Sequence, residues 1–148
     1  MKGFKFKLQS VLEAREKKFE DSQLEFVKVK NKLLSEKKAL DSLQKDLLKT
    51  QKGLEVILNS GNMDYTFIFS HQNYIFKLKD DIENQLKLIE ETELKLAEKN
   101  KLMLEALKEK TMMEKLREKA REAFKKEVER QDIINIDEIA VNRYKKAI

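Results

Sequence analysis

The chain has 148 residues, of which 41% are apolar and 40% charged, with a net charge of +5. That is too polar to wrap a thick globular core but enough to line a seam between helices. It has no cysteine and no proline, which excludes disulfides, thiolate metal sites and cysteine nucleophiles, and leaves Gly3, Gly53 and Gly61 as the only strong helix breakers.

Along the first third, Leu12, Phe19, Phe26, Leu33, Leu40, Leu47 and Leu54 stand seven residues apart. A repeat of that period keeps one column of side chains facing a partner helix. The spacing predicts helix one over about residues 9–58, roughly 75 Å at about 1.5 Å per residue. Ser10 with Glu13 three residues on fits the pattern of a capping box. The companion column is weaker, because Leu8, Val29, Leu43 and Ile57 share their phase with Arg15, Ser22, Glu36 and Thr50.

The stretch Asn59-Ser-Gly-Asn-Met-Asp64 is the best break, with Gly61 suited to a left-handed turn and Asp64 to capping the next helix. A bend over about 59–70 is expected. Tyr65, Phe67, Phe69, Tyr74 and Phe76 come close behind, beside the only histidine, His71. They form either a packed segment at the bend or an exposed docking surface. His71 has neither a second ligand for a metal nor a nucleophile beside it, and reads as structural.

Ile68, Ile75, Ile82, Ile89, Leu96 and Met103 form a second column at the same spacing, joined by Leu86 and Leu107. Helix two is expected over about 71–133, with a tail over about 134–148. Near Lys108 to Thr111 the stripe weakens and resumes as Ala106, Met113 and Ala120 with Leu116, Phe124 and Val128, which reads as a shift of phase. A fold-back centred near residue 66 sets Leu12 opposite Ala120, Phe19 opposite Met113 and Leu8 opposite Phe124. A bend centred at 62 is the alternative, and it leaves Phe124 and Val128 overhanging. The fold class is thus all-α, a single antiparallel coiled-coil hairpin with a short irregular or helical segment at the bend.

Charge is uneven. Residues 1–30 hold 8 basic and 5 acidic side chains, residues 115–148 hold 10 and 7, and the 84 between hold 14 and 15. A hairpin gathers the two positive ends at one tip. Acidic residues are interleaved throughout and no aromatic-lined basic groove is visible, so nucleic acid is a poor partner. No glycine-rich phosphate loop, metal-binding helix motif or nucleophile elbow is present, so neither catalysis nor a cofactor is expected. No 18-residue apolar run and no signal-like leader is seen, and the chain reads as cytoplasmic without membrane insertion.

Phe4-Lys-Phe-Lys-Leu-Gln-Ser-Val-Leu12, His71-Gln-Asn-Tyr-Ile-Phe-Lys-Leu78, Ile82-Glu-Asn-Gln85, Met113-Glu-Lys-Leu-Arg-Glu-Lys119, Phe124 and Asp137-Glu-Ile-Ala140 occur in the order and spacing of one family. The chain resembles the flagellar export protein FliJ over nearly its whole length. The resemblance implies a non-catalytic stalk of the flagellar type III export apparatus, peripheral at the inner membrane. It would bind the hexameric export ATPase FliI, link it to the gate protein FlhA, and take part in handling export chaperones.

The basic tip, with Lys5, Lys7, Arg15, Arg117, Arg121 and Lys125, is expected to meet the ATPase. Tyr74, Leu78 and Gln85, approached by Leu43 and Leu47, lie where the family's gate-facing surface falls, and Tyr74 with Leu78 is expected to stand open there. Asp81 departs from the family's pattern, which has a small residue at that place. The equivalent stalk of a virulence-type secretion system, or a rotary ATPase central-stalk subunit, is the alternative within this architecture.

Overall fold

A computed structural model describes residues 3–61 and 64–147. Two helices account for nearly all of them, α1 (Gln9–Asn59) and α2 (Tyr65–Ala147), packed antiparallel on one another. The chain divides into two compact units: in unit 1, residues up to Ser22 pack with those from Met103 onward, and unit 2 is Gln23–Leu102. Each unit is one stretch of α1 against one stretch of α2.

The helix ends arise from local chemistry. At the start of α1 the Leu12 amide donates to the Leu8 carbonyl at 3.0 Å, and the Gln9 amide to the Phe6 carbonyl at 3.2 Å. Ser10 lies inside the helix and is not its cap. Glu13 accepts from the Gln9 side-chain amide at 3.3 Å instead. At the other end Gly61 takes φ 73°, the left-handed value at which a Cβ would be strained, and so stops α1. Asp64 then caps α2, its carboxylate accepting from the Thr66 amide at 3.1 Å.

Two boundaries differ from the sequence reading. The aromatic stretch 65–70 belongs to α2 and is not part of the bend, and the expected tail over about 134–148 is helical as far as Ala147, Ile148 lying outside the described residues. Among described residues nothing after Asp64 supplies a proline or glycine to end α2.

The first column turns inward throughout, from buried Leu12 and Leu33 to half-buried Phe19, Phe26, Leu40, Leu47 and Leu54. The second does the same, with Ile89 buried and Ile68, Ile75, Ile82, Leu96 and Met103 half-buried. The companion column of α2 corrects the expectation of a phase shift. It runs unbroken as His71, Leu78, Gln85, Thr92, Lys99, Ala106, Met113 and Ala120, all buried or half-buried. Leu86, Leu107 and Leu116, expected on the stripe, are exposed. Four polar members, His71, Gln85, Thr92 and Lys99, hide this column from a search for apolar periodicity. Thr92 is buried and satisfies its hydroxyl on the Leu88 carbonyl at 3.0 Å.

Pairing in unit 1 lies about one turn from the expected register. The Phe19 ring sits under the Lys110 ammonium, 5.0 Å from nitrogen to centroid, three residues before the expected Met113. Phe124 meets Phe4, with ring centroids 5.6 Å apart, rather than Leu8. Phe124 does not overhang, because the residues before α1 extend the contact. In unit 2, a Cβ built on Gly53 would lie 3.7 Å from the His71 ring, a pair whose midpoint is residue 62. The His71 Nδ1 donates to the Phe67 carbonyl at 2.9 Å, so the histidine closes its own helix turn.

Glu36 is the anomaly of unit 2. It is 6% exposed, and neither carboxylate oxygen has a hydrogen-bond partner, the Lys32 ammonium standing 4.0 Å away. A buried acceptor left unsatisfied costs about 1–3 kcal/mol, and more when charged. Replacing Glu36 by Met should therefore raise the unfolding free energy by about 1–3 kcal/mol in a denaturant titration, with the slope of the transition unchanged.

Candidate functional site

Unit 1 gathers every residue expected at the basic tip. Lys5, Lys7, Arg117, Arg121 and Lys125 are exposed, whereas Arg15 is half-buried. Arg117, Arg121 and Lys125 recur every fourth residue of α2 and so share a face. Lys5 and Arg117 meet at a shallow hollow lined also by Phe4, Phe6 and Gln9, which puts cationic groups around an aromatic floor.

Arg15 has a different role. Its guanidinium donates to the Glu109 carboxylate at 3.0 Å, and Lys18 donates to the same oxygen at 3.1 Å. The Lys18 hydrogen bond, with the charges of Lys18 and Arg15 behind it, holds the Glu109 carboxyl below the ordinary glutamate range, partly opposed by desolvation. Arg15 therefore bridges α1 to α2 while its side chain stays 41% exposed.

Unit 2 carries the second set. Tyr74 is 44% exposed, but Leu78 is 3% exposed and belongs to the buried companion column. The expectation that the two stand open side by side does not hold. A spacing of four puts them on adjoining parts of one face, and Tyr74 occupies its outer edge. Gln85 is half-buried, donating its amide to the Glu36 backbone carbonyl at 2.9 Å, and Leu43 and Leu47 are half-buried in the seam. Asp81, between Leu78 and Gln85 in sequence, is half-buried.

The two readings of the aromatic stretch resolve toward exposure. Tyr65, Phe67, Phe69 and Phe76 are all open to solvent, Phe76 at 72%, and a hollow is lined by Tyr65, Thr66, Ile68, Phe69 and Gln72. Such a run of bare aromatics leaves a large apolar area in contact with water. Sequence reasoning missed a further apolar set, Ile136, Ile139, Val141 and Tyr144, because it placed them in a tail beyond Ile133; their helical spacing was the available signal.

Among the described residues no group of three or more His, Asp or Glu side chains is placed to hold a metal ion, and no helix is long and apolar enough to cross a membrane. The family model described as "Flagellar FliJ protein" matches residues 4–147. The chain belongs to the FliJ family. No curated protein and no solved structure matches it. Membership makes this a protein of flagellar export, and the paired helices agree with the coiled-coil stalk form of that family.

The Glu109 cluster makes a pH prediction. A carboxyl with a lowered folded pKa adds stability above its unfolded value, and that increment is lost as pH falls through the folded value. Unfolding midpoints of the wild type and of Glu109→Gln should thus differ at neutral pH and converge in the acid range below about 4.5, the ordinary glutamate value. The neutral-pH gap should also shrink with added salt, since the cluster is exposed.

Proposed function

We propose that this protein is a non-catalytic stalk and coupling component of the flagellar type III export apparatus. It acts at the cytoplasmic face of the inner membrane, binding the hexameric ATPase FliI, linking it to the gate protein FlhA and assisting in the handling of export chaperones. The observation that carries the reading is the family match over residues 4–147, nearly the whole chain. Its physical support is that the described residues offer exposed surfaces of two kinds. Unit 1 offers cations to a partner, and unit 2 offers exposed aromatics. A coupling protein needs two such contacts of unlike chemistry so that one can be held while the other exchanges.

In this proposal the ATPase contact belongs to the exposed cations Lys5, Lys7, Arg117, Arg121 and Lys125. Arg15 shapes the tip through its ion pair with Glu109. Reversing Arg117, Arg121 and Lys125 together to Glu should weaken stimulation of ATP hydrolysis and reduce its dependence on salt, with helicity retained. Stimulation equal to wild type in the triple variant would reject the assignment.

The gate contact centres on Tyr74, with the neighbouring exposed aromatics. Leu78, Leu43, Leu47 and Gln85 support it by holding α2 in place. Tyr74→Ala should cost about 1–4 kcal/mol of gate binding in a titration at unchanged melting temperature. Leu78→Ala should instead lower stability by about 2–5 kcal/mol, because it empties part of the seam. The reverse pattern, with gate binding indifferent to Tyr74, would place the contact elsewhere on the chain.

A further inference from the structure

The last stretch of α2 presents a face that its own chain does not cover. Every described side chain from Asp132 to Ala147 is exposed, except where Ile134, at 38%, approaches the half-buried class. Ile133, Ile136, Ala140, Tyr144 and Ala147 recur at spacings of three and four, so they share one face over about four turns. Tyr144 is 69% exposed and Ile136 is 64%.

At about 100° per residue this face lies roughly half a turn from the one bearing Ala120, Phe124, Val128 and Gln131, which turns toward the start of the chain. The latter side continues as Asn135, Glu138 and Asn142, which are polar. Extending the hairpin would therefore cover the wrong side of the helix, and the apolar face needs another molecule.

The charges indicate which one. Asp132, Asp137 and Glu138 occupy the first half of the stretch, and Arg143, Lys145 and Lys146 the second. Arg130 is held by Glu127 within the helix, at 2.8 Å. A second copy laid antiparallel puts the acidic half on the basic half, whereas a parallel copy stacks like on like. About a two-fold axis near residues 138–139, Ile133 faces the second copy's Tyr144 and Ile136 its Ala140, whose small side chain lets the helices approach. Asp132 then flanks Arg143 and Lys146 of the other copy. A lipid surface fits less well, because Asp132 and Asp137 border the apolar stripe where a membrane helix carries lysine or arginine.

We infer that residues 132–147 form an antiparallel two-helix interface with a second copy of this chain. The contact is independent of the export reading. Four turns offer less than the roughly 800 Å² per partner of a standard interface, so the dimer is weak, concentration-dependent and weakened by salt.

Sedimentation of the full chain from about 10 µM to about 1 mM should show the mean mass rising toward two chains. Ile136→Asp should abolish the rise without loss of helical signal, because the side chain is exposed in the single chain. Asp132→Lys should weaken the association, and adding Arg143→Glu to it should restore it. Because the chain has no cysteine, Ala140→Cys, on the face and close to the axis, should give oxidised dimers while Ala147→Cys should not. Single-chain mass at every concentration, or cross-linking through position 147 in place of 140, overturns the inference.

Discussion

The structure depends on an apolar seam only two helices wide. Leu12, Leu33, Leu78, Ile89 and Ala106 are the buried apolar side chains among the described residues, and the rest of the columns remain half-buried. Two cylinders cannot surround a side chain as a globular core does, so each residue contributes only part of the burial free energy that full enclosure would bring. Stability is consequently spread along the columns, and no cluster replaces a missing stretch. The charged rims keep such a narrow seam from recruiting unrelated apolar surface.

Polar residues inside the seam decide how the helices align. In unit 2 the Gln85 amide reaches the Glu36 carbonyl, while in unit 1 Arg15 and Lys18 converge on Glu109. Repeating leucine and isoleucine columns are nearly indifferent to a slide of one heptad, so specificity must come from contacts that occur once. The buried Glu36 carboxylate has no hydrogen-bond partner and only a distant ion pair with Lys32, and the polar Gln85 and Thr92 stand in the same seam. A gate-binding surface on this unit would therefore rest on one of the less tightly held parts of the hairpin.

A narrow hairpin has far more surface than its own packing consumes, and the three exposed surfaces differ in chemistry. Cations spaced by four line part of unit 1, aromatics crowd the start of α2, and an aliphatic face closes the chain. Membership of the FliJ family sets these surfaces in a protein of flagellar export. Leu78 shows why spacing alone does not identify an exposed surface: it is sunk in the seam although it stands four residues from exposed Tyr74.

Some of this architecture is written in the order of the residues. Period seven along Leu12 to Leu54 and Ile68 to Met103 specifies helices and their inward faces, because side-chain direction is set by backbone geometry. Gly61 and Asp64 specify the break, since one tolerates a left-handed turn and the other satisfies free amides. The family strings from Phe4 to Ala140 are equally local. The companion column through Gln85, Thr92 and Lys99 was illegible, because burial of a polar side chain depends on what stands opposite it. The register was also left to tertiary contacts such as Phe4 on Phe124, for heptad columns face each other equally well after a slip. So too was the division of Tyr74 and Leu78 into edge and core: four residues of spacing set their angle on α2, but only the position of α1 determines which side of that angle is covered.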